Sequence, residues 1–258
     1  MNRLRGFAVG VASGVLATWM VVGLLSSASG APGEKPGVPA HVPNGDPCAG
    51  QEMSLKIDGK EGSPIVPYGP TTIKGVLHCG LVPIRNAQVA IASVGCLPDR
   101  VTPITGIVTT GLDGSFSYTV PPGPNRVLSF GYTSYSDDPG ASVTAMAVLR
   151  VRPQMSLAIT PTVVRKHRPI FWTATVLGAP FPPQGIALAV QVKEGRRWQT
   201  FDEVVFHHEG TRRIYSYRFL RTVVPTTYTF RLALPAKGSG GYPFSFGTSN
   251  AVNVRVNP

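Results

Sequence analysis

Hydrophobic and polar residues alternate with a period of two through much of the chain. In residues 186–192, IALAVQV, the apolar set Ile186, Leu188, Val190 and Val192 falls on one side. In YSYRF, Tyr215, Tyr217 and Phe219 share a face while Ser216 and Arg218 take the other. In YTFRLAL, Tyr228, Phe230, Leu232 and Leu234 repeat the pattern. Side chains of an extended strand point to opposite sides in turn, so this spacing predicts antiparallel sheets with one wet face. Asp113-Gly114, Pro122-Gly123 and Pro139-Gly140 fall between the runs as turn signals. Beyond residue 30, no window of helical length carries a 3.6-residue apolar stripe.

The runs also recur in order, with a period of about 100 residues. MSLKI at Met53 returns as MSLAI at Met155, and VPIRNAQVAI (82–91) as FPPQGIALAV (181–190). DGSFSYTV (113–120) is echoed by TRRIYSYRF (211–219), and NRVLSFGY (125–132) by TTYTFRLAL (226–234). VLRVRP (148–153) closes the first series and VNVRVNP (252–258) the second. The expectation is an all-β chain of two tandem immunoglobulin-like antiparallel β-sandwiches, residues 51–153 and 154–258, of roughly seven strands each.

The N-terminus breaks this pattern. Arg3 and Arg5 precede an uncharged apolar stretch that ends in small residues, Ala28-Ser29-Gly30. Residues 1–30 therefore read as a secretory signal peptide. An uncleaved anchor through residues 7–25 stays open, because the run approaches a bilayer span of about 20 residues. Either way the rest of the chain is expected outside the cytoplasm. Residues 31–50, dense in Pro and Gly, read as a linker. The chain holds three cysteines, Cys48, Cys79 and Cys96. In an exported protein two of them are expected to pair. Cys79 and Cys96 flank a strand and are the preferred pair, with Cys48 an alternative partner for either.

Charge separates the two copies. Residues 31–153 carry nine Lys/Arg and nine Asp/Glu, whereas residues 154–258 carry thirteen against four. A basic extracytoplasmic surface meets anionic envelope polymers or an envelope protein before it meets nucleic acid. Arg196, Arg197, Trp198, Arg212, Arg213 and Arg218 form the candidate patch, with Tyr217 interleaved; guanidinium planes beside aromatics suit carboxylate, phosphate or sugar-acid ligands. The competing reading is that these arginines keep hydrophobic strands soluble and guard sheet edges. Trp172 and Trp198 read as core or inter-sheet packing.

Candidate chemistry elsewhere is thin. His207 and His208 in FHHEG are adjacent, so on a strand they point to opposite sides, and the segment reads as a hairpin turn equivalent to GLDG in the first copy. Asp113, Asp137 and Asp138 read as turn formers, too few for a calcium site of six or more oxygens. No GxSxG nucleophile elbow occurs. No catalytic residue, metal site or cofactor is expected.

PIRNAQVAI…VTTGLDGSFSYTVPPGPNRVLSFGY resembles the transthyretin-like, carboxypeptidase-regulatory-type sandwich: a valine strand, then T-T-x-x-D-G-x-F, then a proline-rich turn. The first copy departs from that pattern by two cysteines and the insert SYSDDPGA. The second copy, from GRRWQTF to AVNVRV, resembles the tandem immunoglobulin-like repeats of secreted actinobacterial proteins. The resemblance implies an extracellular pair of β-sandwiches and carries over no catalytic residue. The expected function is a secreted, non-catalytic cell-envelope module that binds or supports. The alternatives are an accessory module of a neighbouring enzyme and a small hydrolase with an unrecognised site.

Overall fold

The alternating runs form strands. The structure, a computed structural model, describes residues 42–45, 48–95, 104–135, 138, 140–235 and 241–258. The expected signal at 1–30, most of the 31–50 linker, Cys96 and Asp137 lie outside the described residues.

In the first half the strands are β1 (Gln51–Ile57), β2 (Ile65–Pro67), β3 (Thr71–Cys79), β4 (Val82–Pro83), β5 (Gln88–Gly95), β6 (Thr105–Thr109), β7 (Ser115–Val120), β8 (Arg126–Tyr132) and β9 (Val143–Arg152). In the second they are β10 (Gln154–Thr160), β11 (Val163–Arg165), β12 (Pro169–Leu177), β13 (Ile186–Glu194), β14 (Arg197–Phe206), β15 (Gly210–Arg218), β16 (Thr226–Leu234), β17 (Gly247–Thr248) and β18 (Val252–Asn257). Each half thus has nine strands among the described residues; the excess over seven is the short β2, β4, β11 and β17.

Two sheets make each half, and the strand order repeats. In the first, β3 lies between β1 and β7 in one sheet, and the other runs β2-β9-β8-β5-β6. In the second, β12 lies between β10 and β15, and the facing sheet runs β11-β18-β16-β13-β14. All five sequence echoes fall on equivalent strands: β1 with β10, β5 with β13, β7 with β15, β8 with β16, β9 with β18. Two tandem immunoglobulin-like sandwiches result. The pairing is antiparallel except at one edge of each copy. There the chain crosses from the first sheet to the second, so β2 lies parallel to β9 and β11 parallel to β18.

The inner faces build the cores. In the first sandwich Ile73, Leu77 and Phe116 meet Val89, Ile91, Leu128, Phe130 and Leu149, all buried. Gly75 sits opposite Phe116, whose ring occupies the space a Cβ would fill, at 2.1 Å. In the second sandwich Trp172, with Ile170, Ala174 and Val176, faces Leu188, Val190, Phe230 and Leu232, and Trp172 is fully buried. Burying each such side chain contributes about 1.5–3 kcal/mol.

Three expectations change on folding. Cys79 is bonded to Cys48, with their Cα atoms 6.5 Å apart, so the Cys79–Cys96 pair is not formed. The reason is register: Gln51 pairs with Cys79, which brings the Pro/Gly-rich lead, three residues earlier, back over the end of β3. FHHEG and GLDG are equivalent, but neither joins paired strands. β6 and β14 belong to the larger sheets and β7 and β15 to the smaller, so both links are sheet-to-sheet crossovers. Gly114 and Gly210 do take positive φ, 72° and 124°. Trp198 lies on the outer face of its sheet, with Arg231 above it, and is not core.

Between the sandwiches the contacts are specific. Asn125 donates its backbone N–H to Pro243 O at 2.8 Å, and its side-chain oxygen accepts from Val151 N at 2.6 Å and Ser245 Oγ at 3.2 Å. The Tyr68 and Phe244 rings are 5.9 Å apart. Glu209 Oε1 accepts from Gly178 N at 2.6 Å and Ala179 N at 2.5 Å, and its carboxylate also accepts the Tyr68 hydroxyl. Burial, then the Glu209 charge and hydrogen bond, raise the Tyr68 hydroxyl above its ordinary pKa. Glu209 is therefore a latch between the halves, while His207 and His208 beside it are exposed.

Candidate ligand-binding site

The predicted basic residues divide into two groups. Arg196 lies in the β13–β14 turn and Arg197 opens β14, paired with Glu194. Phe206 closes β14, a strand of 10 residues spanning about 30 Å. Arg212 stacks over Phe206 at 4.5 Å, so it sits at the far end from Arg197. Arg213 stacks over Phe171 at 4.0 Å. In register, Arg212 pairs with buried Ala174 and Arg213 with Thr173, so the two adjacent arginines lie on opposite faces. Trp198 receives Arg231 at 4.0 Å, and Arg231 donates through Nε to Gln191 Oε1 at 2.8 Å. Arg218 ends β15 and returns toward the Arg197 end.

At that end a cleft of about 570 Å³ opens between the two sheets. Phe201 and Tyr217, edge residues of β14 and β15, flank it; Phe219, Tyr228 and Phe230 line it; Lys193, Arg218 and Arg221 stand on its rim with Glu194. The rings interlock: Phe219 lies 5.0 Å from Tyr217 and stacks on Tyr228 at 4.8 Å. Phe201 reaches 6.0 Å from Phe230 and 5.7 Å from Trp172. Phe201 and Tyr217 remain 40% and 37% exposed, which leaves ring surface open to a ligand. Burial, then the Asp202 and Tyr217 charges, push the Tyr215 hydroxyl up to about 12.

Both edge strands bend here. In the β13–β14 ladder Val190 pairs with Asp202 and Gln191 with Thr200, leaving Phe201 as the extra residue. In the β12–β15 ladder Trp172 pairs with Tyr215 and Thr173 with Arg213, leaving Ile214 extra. A bulge twists the local strand and redirects its side chains. Of the residues singled out from the sequence, Arg218 and Tyr217 line this cleft; Phe201, Phe219, Tyr228, Lys193 and Arg221 line it too and were not among the predicted site residues. The aromatic alternation of YSYRF and YTF carried part of that signal.

Among the described residues of the second sandwich, no ion pair offsets the positive charge at short range. Among the described residues the ion pair is Lys56 with Glu61 at 3.4 Å, in the first sandwich. Asp113 accepts from Ser115 N and Oγ at 3.0 and 2.7 Å, bonds that hold its carboxyl below the usual range. No group of three metal-ligating side chains occurs among the described residues, and no helix there is long and apolar enough to cross a membrane.

Likeness to solved structures is distant. The Yersinia pseudotuberculosis adhesin InvE aligns with TM-score 0.32 and 12% identity, over 80% of this chain and 59% of that one. The D0-D1 domain of intimin aligns with TM-score 0.27 and 11% identity, over 79% and 97%. A Salmonella alpha-2-macroglobulin mutant gives 0.29 and 14%, over 85% and 15%. The chain thus spans less than two thirds of the InvE chain. Neither protein-family models nor curated proteins give a match. The fold assignment rests on the strand order common to both halves.

Proposed function

We propose that this is an extracytoplasmic, non-catalytic binding module whose second sandwich holds an anionic envelope polymer or an acidic partner protein. In this reading residues 1–30 export the chain, residues 31–50 link it to the sandwiches, and residues 51–153 and 154–258 are its two domains. The carrying observation is the charge of residues 154–258, thirteen Lys/Arg against four Asp/Glu, without a close ion pair among the described residues. Free cations on a rigid β-scaffold draw anions from solution, a force screened over about 8–10 Å at physiological salt. The Cys48–Cys79 bond supports an oxidising compartment.

The test is retention of the purified protein on envelope polymer fractions across a salt series, beside Arg196/Arg197→Ala and Arg212/Arg213→Ala double variants. Retention that falls with salt and weakens in either variant supports the reading. Salt-independent retention, or none, sinks it.

A further inference from the structure

We infer that the cleft between β14 and β15 is a subsite for a carboxylate-bearing sugar ring, a uronic-acid unit of an anionic glycan. The inference rests on the binding function proposed above and gives it a place and a ligand chemistry.

Three features of the cleft point to that class. First, its aromatic lining offers ring faces, and the C–H face of a pyranose is the apolar surface of a sugar. Phe201 and Tyr217 present such faces on the two edge strands, and buried Phe219 and Phe230 back them. Second, three cations, Lys193, Arg218 and Arg221, stand on the rim against the one carboxylate of Glu194. Arginine recognises a planar carboxylate through two parallel hydrogen bonds, which fixes its orientation as well as its charge. Third, Thr226 and Thr227 put hydroxyls along the same wall as partners for ring hydroxyls; Thr226 Oγ1 donates to Val224 O at 2.9 Å and keeps its acceptor side for a ligand. A bare phosphate has no use for the rings, and a neutral sugar none for the arginines. The volume of about 570 Å³ falls in the roughly 300–1,000 Å³ range of small-ligand sites.

The bulges decide between a glycan and a peptide strand. The free edges of β14 and β15 would be templates for strand addition if they were flat. Phe201 and Ile214 are extra residues at the cleft, so neither edge presents a regular hydrogen-bonding row there. The bulge in β14 instead turns the Phe201 ring toward Trp172 and Phe230. Recognition is left to side chains, as a glycan requires.

The experiment is calorimetric titration of the full-length protein with a galacturonate trisaccharide, backed by saturation-transfer NMR. A neutral galactose trisaccharide, inorganic phosphate and a hexaglutamate peptide run in parallel. The variants are Arg218/Arg221→Ala, Tyr217→Ala, Tyr217→Phe and, at the other end of the sandwich, Arg212/Arg213→Ala. The uronate is expected to bind saturably and the neutral sugar not. Affinity should drop about tenfold or more in Arg218/Arg221→Ala and in Tyr217→Ala, the loss expected of a charge-assisted bond or a stacked ring. It should persist in Tyr217→Phe, which keeps the ring and controls for folding. Uronate affinity unchanged in Arg218/Arg221→Ala overturns the subsite. Phosphate or hexaglutamate binding as tightly as the uronate overturns the ligand class. Polymer retention that survives in Arg218/Arg221→Ala and disappears in Arg212/Arg213→Ala leaves the binding function standing and removes the cleft from it. Failure of the wild-type protein on every anionic polymer removes both.

Discussion

In the first sandwich β6 and β7 are 5 and 6 residues long and pair with their neighbours without a register shift. Their counterparts in the second, β14 and β15, reach 10 and 9 residues, and each carries a bulge. The ends of the two copies differ in the same direction. The β7–β8 loop of the first is seated on the second sandwich through Asn125. Arg126, next to it, is buried, and burial holds its guanidinium below its ordinary pKa; it donates to Pro121 O at 2.6 Å. The β15–β16 loop of the second leaves Leu220, Val223 and Val224 exposed beside the open cleft. One topology therefore takes two forms: a closed copy of balanced charge and a basic copy with an open cleft. Lengthened edge strands make the difference while the core strands stay alike.

The comparison can be broken most forcefully at the second core. Trp172→Ala should cost about 3–5 kcal/mol and lower the unfolding midpoint in guanidinium, followed by far-UV circular dichroism. A loss below 1 kcal/mol would mean that the aromatic cluster is not the second sandwich's keystone. Next comes the crosslink. Cys48→Ser with Cys79→Ser opens a loop with a sequence separation of 31 and should cost about 2–4 kcal/mol. Hydrogen exchange should show the extra opening in β1 and β3 and leave β12 and β15 unchanged.

The joint should respond less. Glu209→Ala removes the acceptor of Gly178, Ala179 and Tyr68, at a cost of about 1–3 kcal/mol. In a double-mutant cycle with Tyr68→Phe the pair should couple by about 0.5 kcal/mol or more; strict additivity would mean that the latch does not act as one. Tyr215→Phe is expected to have the smallest effect. Burial holds the Tyr215 hydroxyl at about 12 against 10.0, so the fold prefers its neutral form. That preference contributes in full below pH 10 and is lost as pH rises from 10 toward 12, where the unfolded chain has released a proton that the folded chain keeps. A pH series of thermal midpoints should fall less steeply above pH 10 in the variant. Equal slopes would show that solvent screening cancels the contribution.

Much of the scaffold was legible because period-two alternation is a local property. The inward sets Ile186, Leu188, Val190 and Phe230, Leu232, Leu234 are buried, as are Ala189 and Ala233 on the other face, and the five echoes mark equivalent strands. What stayed hidden depends on pairing between distant segments. Arg197 and Arg212 look like neighbours in sequence, yet a full-length strand runs between them. Tyr68 meets Glu209 only because the first sandwich docks on the crossover of the second. The bulge at Phe201 leaves no trace in composition; only the two-against-one register exposes it. Cys48 could not be placed because the return of a Pro/Gly-rich lead over β3 has no sequence period.

The crosslink also changes how the molecule carries tension. A pull arriving from the N-terminal side reaches Cys48 and passes through the covalent bond to Cys79, at the far end of β3. β1, lying between the two sulfurs in sequence, cannot then be peeled away from the sheet one hydrogen bond at a time. Load passes on beyond Cys79, so residues 49–78, with β1 and the body of β3, are spared the stretch. The first sandwich thus resists unravelling from its leading end.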